Sequence, residues 1–222
     1  LLVESLVIVM SILLALAADA WWDGRVQQRE ILDQRAQLHD QMTANSEVLE
    51  ANVESARLSL KATSTIVDIV GPRPDMIAAD SLAVLLHTSF SFGAPRIETN
   101  ALNTLLGTGE FALSADDALH GLLMRFRADA EAIAADGVLF VDIRSRFVDY
   151  LLQVAPVAFV SELTEAHGPS DFDFPVAELL RDARVEGLAG NLAVRSRNIG
   201  RRAELMGARA DSIVGLLEAG AI

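Results

Sequence analysis

Residues 24–70, GRVQQREILDQRAQLHDQMTANSEVLEANVESARLSLKATSTIVDIV, contain no proline and no glycine after Gly24. Apolar side chains recur there at Leu38, Met42, Leu49, Val53, Ala56, Leu60, Val67 and Val70, in steps of three, four and seven. That spacing keeps returning to one side of a 3.6-residue helix, so the stretch reads as a single amphipathic helix of about 45 residues. A stripe of that length is hidden most economically against other long helices, which makes the expected class all-α. Asn45 and Asn52 interrupt the stripe, and amide side chains there argue against a pure coiled coil.

Toward the N-terminus the chain reads LLVESLVIVMSILLALAA (1–18), then Asp19, Ala20, Trp21 and Trp22. Roughly 20 helical residues cross a hydrocarbon core of about 30 Å, and tandem Trp belongs at its interface. The expectation is a transmembrane helix over 1–22, continuing almost directly into the long helix of an extramembrane domain over 23–222. A cleavable signal peptide is the competing reading, because ALAADA resembles a small-residue cleavage site. Within the span Glu4, Ser11, Ala15 and Ala18 fall on one side. Ser11 and Ala15 form a small-xxx-small pair that lets another helix approach closely, and Glu4 is cheap at an interface or against a partner. Membrane lipid is thus one expected partner.

Toward the C-terminus, GPRPD (71–75) ends the long helix with two prolines. Short helices are expected over about 76–90 and 97–106, separated by SFGAPR (91–96). Gly107-Thr108-Gly109 stops the second. Ser114 reads as the N-cap of a helix to about residue 135, with Asp116 and Asp117 in its first turn. Gly137 marks a turn before a further helix on which Phe140, Ile143, Phe147, Leu151 and Val154 share a face. Pro156 should end or kink it, and HGPSDFDFP (167–175) is a loop. A short helix from Val176 to Gly187 then leads into a last long helix, about 187–218, with Leu188, Leu192, Ile199, Met206, Ile213 and Leu217 inward.

The ALAADAWWDGR junction, the LNTLLGTGEFALSADDALHGLL stretch (102–123) and the leucine-rich closing turn together resemble a group of uncharacterised bacterial single-span membrane proteins. The likeness implies topology: one span, then a helical domain. It implies no activity.

Composition narrows the function classes. The formal charge of −13 argues against nucleic acid, whose phosphates demand a basic surface. Of 18 basic residues only Lys61 is a lysine, a signature of a GC-rich bacterial genome. With no cysteine, disulfides, thiolate catalysis and Cys-ligated metals are out. His39, His87, His120 and His167 are scattered over four segments, without the Glu-x-x-His pairs of a di-iron bundle. Glu162, Glu165 and His167 are the nearest cluster, and Asp116 with His120 lies one helical turn apart. Gly107-Thr108-Gly109-Glu110 lacks the Lys of a phosphate loop. Asp171 and Asp173 lack the further ligands of a calcium loop. No metal, cofactor, catalytic residue or small-molecule substrate is expected.

Charge patterning is more informative. Asp33, Asp40, Glu47 and Glu54 repeat every seven residues, roughly opposite the Met42/Leu49/Ala56 face. Arg195, Arg202 and Arg209 also repeat every seven, flanking the apolar face of the last helix. These stripes read either as solvated or snorkelling faces or as docking surfaces for partner subunits. The resulting expectation is a non-enzymatic, single-span accessory subunit of a larger bacterial membrane complex, for example respiratory or photosynthetic. It would sit in the inner membrane with a periplasmic domain. A ligand-sensing, membrane-anchored bundle is the alternative, weakened because residues 187–222 hold no second apolar run of about 18.

Overall fold

The computed structural model describes the backbone of residues 2–107, 117–154 and 175–219, and the side chains of all of these except 2–9, 11 and 12. Six helices form among the described residues: α1 (Leu2–Ile69), α2 (Ala79–Phe90), α3 (Asn100–Gly107), α4 (Asp117–Val154), α5 (Val176–Leu179) and α6 (Ala183–Ala219). No strand occurs among them, so the all-α expectation holds.

Three of these helices are long, and each buries a seven-residue repeat. On α1 the buried positions include Leu38, Met42, Asn45, Leu49, Ala56, Ser59, Thr63 and Ile66, with Asn52 half-buried in step and Val70 buried just past the helix end. On α6 large and small residues alternate: Leu192, Ile199, Met206 and Ile213 against Ala189, Ser196, Ala203 and Ala210. Small residues let the two backbones come close, and a Cβ added at Gly200 would sit 2.9 Å from Ala56 Cβ. Ser46 meets Asp211 near one end of this pair of helices, and Gly190 faces Val67 near the other. The two helices therefore run antiparallel.

The remaining leg of the bundle is broken. It comprises α2, an extended stretch over 91–99, and α3, and it lies between α1 and α4. Phe90 packs edge-on against Phe147 (5.3 Å, 85°), and Phe92 against Phe140 (5.1 Å, 86°). Such pairs add about 0.5–1.5 kcal/mol beyond their buried area. With α1 rising, this leg descending, α4 rising and α6 descending, the topology is up-down-up-down.

The break would strand buried backbone groups, and α1 supplies their partners. Asn45 Nδ2 donates to the Glu98 carbonyl at 2.8 Å, while its Oδ1 accepts the Glu98 N–H at 3.0 Å. Gln41 Oε1 accepts the Leu102 N–H at 3.1 Å. Asn52 Nδ2 donates to the Gly93 carbonyl at 2.8 Å, and Ser59 Oγ to the Ser89 carbonyl at 3.1 Å. From the other side Arg144 Nη1 donates to the Phe90 carbonyl at 3.2 Å. The two asparagines thus continue the heptad stripe rather than interrupt it, because their side chains face a polypeptide backbone and not a hydrocarbon surface.

Other boundaries also move. Gly137 does not turn the chain; it lies buried inside α4, where a Cβ would fall 2.5 Å from Ala94 Cβ. The glycine is there for close approach. Gly187 lies within α6, which starts earlier, at Ala183, because Asp182 caps it by accepting the Arg184 N–H at 2.8 Å. Phe140, Phe147 and Leu151 are buried as expected and Ile143 partly so, whereas Val154 is exposed. The expected cap at Ser114, Pro156 and most of the 167–175 loop lie outside the described residues.

The helix α1 is far longer than the bundle it joins. Its side chains at Met10 and from 13 to 30 are all exposed, and its first fully buried residue is Leu38. Among the described residues, no helix is long and apolar enough to cross a membrane.

Adding a methyl group separates the two roles of helical glycine. Gly187→Ala, with nothing within 4 Å of the new Cβ, should stabilise the protein by up to about 1 kcal/mol. Gly137→Ala should instead destabilise it by about 1–3 kcal/mol through overpacking against Ala94. Denaturant midpoints measure both, and equal shifts of the same sign would contradict the close approach.

Candidate functional site

Three sets of residues stand out once the bundle is assembled: the projecting end of α1, the charged stripes on the long helices, and a polar cluster where α4 meets the start of α6.

At the projecting end, Leu14 is 67% exposed and Trp22 62%. The Arg25 guanidinium lies 4.5 Å from the Trp21 ring centroid, a cation–π contact. Ala15 and Ala18 are exposed on the same rod. The Glu4 and Ser11 side chains lie outside the described ones.

The two heptad stripes part company. Asp33, Asp40, Glu47 and Glu54 are all exposed along the outer side of α1. Of these only Asp40 contacts an ionisable side chain among the described residues, His39, at 3.4 Å. Arg195, Arg202 and Arg209 are instead half-buried and paired with acids on α4. Asp136 on α4 receives Arg195 Nη1 at 3.6 Å and Arg202 Nε at 3.3 Å, and Asp129, seven residues earlier, receives Arg209 Nη1. The Arg202–Asp136 contact is Coulombic, since neither Arg202 Nε nor Asp136 Oδ2 makes a hydrogen bond among the described residues. The basic stripe therefore forms a ladder of ion pairs between α6 and α4. The signal was present in the sequence: two aspartates on one helix repeat with the period of three arginines on another.

The third set went unread in the sequence. Tyr150 donates a 2.5 Å hydrogen bond to Asp182 Oδ2, and the Arg184 guanidinium reaches the same carboxylate at 3.0 Å while lying 4.6 Å from the Tyr150 ring centroid. The Tyr150 hydrogen bond, helped by the Arg184 N–H and guanidinium, lowers Asp182 from 3.8 to about 2. Burial and the donated hydrogen bond raise Tyr150 from 10.0 to about 12. Perturbed values of this kind accompany many catalytic groups. Here the carboxylate also caps α6, so the cluster is sufficiently explained as a clasp between two helices.

The histidines are dispersed. His39 Nε2 lies 3.4 Å from Glu218 Oε1, linking α1 to the end of α6. His87 contacts Ser91 at 3.3 Å. His120 Nδ1 is buried without a hydrogen bond among the described residues. No group of three His, Asp or Glu placed to hold a metal occurs among the described residues. Glu162, Glu165, His167, Asp171, Asp173, Asp116 and the stretch after Gly107 lie outside them. No family model, curated protein or solved structure matches the chain.

The clasp has a defined pH signature. Because its folded value lies below its unfolded one, ionised Asp182 stabilises the fold above about pH 4, and that contribution is lost as pH falls toward 2. Tyr150, raised when folded, contributes below pH 10 and loses its contribution as pH climbs toward 12. In urea titrations the midpoint gap between wild type and Asp182→Asn should be widest near neutrality and close between pH 4 and 2. A gap independent of pH would mean that the carboxylate charge does not hold the clasp.

Proposed function

We propose that this chain is a non-enzymatic accessory subunit that tethers a helical bundle to a membrane and holds it at a set height beside a larger complex. The observation that carries this reading is the form of α1: one unbroken helix whose described apolar side chains, Met10, Leu13, Leu14, Leu16, Trp21 and Trp22, are exposed ahead of a bundle that begins only near Leu38. Large exposed apolar side chains in succession mark a surface made for something other than water.

The order of residues along the rod supports lipid as that cover. The apolar run 1–18 is followed by Trp21 and Trp22, an arrangement suited to a hydrocarbon core followed by its interface. The polar stretch over 23–37 separates that belt from the bundle. At 1.5 Å per residue, Leu38 would stand about 24 Å beyond Trp22. A continuous helix sets this height better than a flexible linker does.

The acids on the outer side of α1 support a protein partner above the membrane. Asp33, Asp40, Glu47 and Glu54 face outward at heptad spacing, with Gln37, Ala44 and Ala51 exposed between them and Leu58 exposed just after. A partner helix with basic residues at the same spacing would repeat outside the bundle the ladder that Asp129 and Asp136 form with α6 inside it. A periplasmic position and a bacterial inner membrane belong to the same proposal. The Ser11/Ala15 face would serve packing within the bilayer.

Two measurements test the two halves. The chain should stay in the membrane pellet through a carbonate wash, while a variant with Leu13, Leu14 and Leu16 changed to Lys should not; release of the unaltered chain would end the anchoring reading. With anchoring intact, reversing Asp40, Glu47 and Glu54 to Lys should remove co-purifying subunits without changing the thermal midpoint of the bundle. Undiminished recovery of those subunits would leave the acidic stripe a solvated face.

A further inference from the structure

The outer side of α4 carries a feature that neither tethering nor the acidic stripe uses. Ala134, Gly137, Val138 and Val141 form one wall of a groove of about 470 Å3, with Ala94 opposite and Arg144 at one end. That volume lies in the range of small-molecule sites, about 300–1,000 Å3. Its lining is mostly apolar, and Val138, at 71% exposure, stands beside it uncovered.

Arg144 is the unusual member. It occupies a heptad position that on the rest of α4 holds Leu123, Ala130, Gly137 and Leu151, so it stands half-buried in a line of core residues. Its bond to the Phe90 carbonyl leaves most of its N–H donors free. It makes no ion pair among the described residues, although acids outnumber bases 31 to 18 in the chain. By contrast, Arg146 and Arg127 on the same helix are paired with Asp142 and Glu131. Among the described residues, then, a half-buried guanidinium without an anion closes one end of an apolar trough, and a ligand with the same two parts fits it.

We infer that this groove binds an amphiphilic carboxylate, an unbranched alkyl chain lying along residues 134–141 with its carboxylate on Arg144. Seven helical steps from 134 to 141 span about 10 Å, the extended length of roughly eight carbons. An alkyl chain asks nothing polar of the walls. An extended peptide would, since each buried N–H and C=O needs a partner. One backbone acceptor on the groove wall, the Gly93 carbonyl, is already taken by Asn52. The carboxylate would receive charge-assisted hydrogen bonds from a planar donor suited to it. The inference does not depend on what anchors α1.

The test uses the full chain in zwitterionic lipid nanodiscs with methyl-labelled Val and Ala, titrated with octanoate and, separately, octanol. The Val138, Val141, Ala94 and Ala134 methyl signals should shift saturably with octanoate and much less with octanol. Arg144→Gln should weaken octanoate binding by about tenfold or more. Arg146→Gln, which makes the same change in net charge on an exposed residue of the same helix, should not. Equal responses to octanoate and octanol, equal effects of the two substitutions, or no saturable shift at all would each overturn the inference. Preserved α6 methyl signals in Arg144→Gln would show that lost binding is not lost fold.

Discussion

An α-helix that is not interrupted carries position along its axis, and the unbroken course of α1 is the constraint on which the rest of this molecule depends. Its 68 residues span about 100 Å. Only the second half has protein around it. An isolated helix in water is marginal unless packing supports it, so the buried half must nucleate and hold the exposed half. The seam with α6 does this by close approach, with Gly207 against Leu49, Gly200 against Ala56, Ser196 against Ser59 and Gly190 against Val67. The helix therefore serves as both the largest part of the core and the stem that leaves it.

A single rod of this kind would ordinarily require three equally regular neighbours. Instead, one leg is broken over 91–99, and the physical problem becomes the polar backbone of that break. Asn45 and Asn52 on α1 meet it at 2.8 Å, and Gln41 and Ser59 bond the flanking helix ends, at Leu102 and Ser89, at 3.1 Å. A buried amide left without a partner costs about 1–3 kcal/mol, so these residues also specify which segment can lie there and in what register. The extended stretch in turn brings Ala94 against Gly137. Beside that close contact a shallow trough runs along the surface of α4, with Arg144 among its lining residues. The groove is thus a consequence of the break.

Much of the fold was legible because helix periodicity and proline survive in any tertiary setting. The end of α1 at GPRPD and the inward faces of α1, α4 and α6 follow from those signals alone. Glycine was less reliable. At 137 and 187 it marked close approach or nothing at all rather than a turn, a difference that depends on the neighbour and not on the local chain. The asparagines at 45 and 52 read as flaws in a hydrophobic stripe because their partners are backbone groups some 40 to 50 residues away. Likewise the arginine stripe on α6 pointed to no single partner until α4 was placed beside it. Candidate sites suffered most, since Arg144 is notable only for what surrounds it.

The apolar end of α1 and its bundle half form one continuous helix. The absence of cysteine from the chain lets spin labels be placed at chosen sites without background. Labels at Ala20→Cys and Glu47→Cys, both exposed and on either side of Gly24, lie 27 residues apart along α1. A pulsed electron–electron distance measurement on the full chain in nanodiscs should give one narrow peak near about 40 Å, the rise of an uninterrupted helix. A broad distribution, or a peak well below about 30 Å, would mean that the rod bends or folds back on the bundle and that α1 is not one rigid helix.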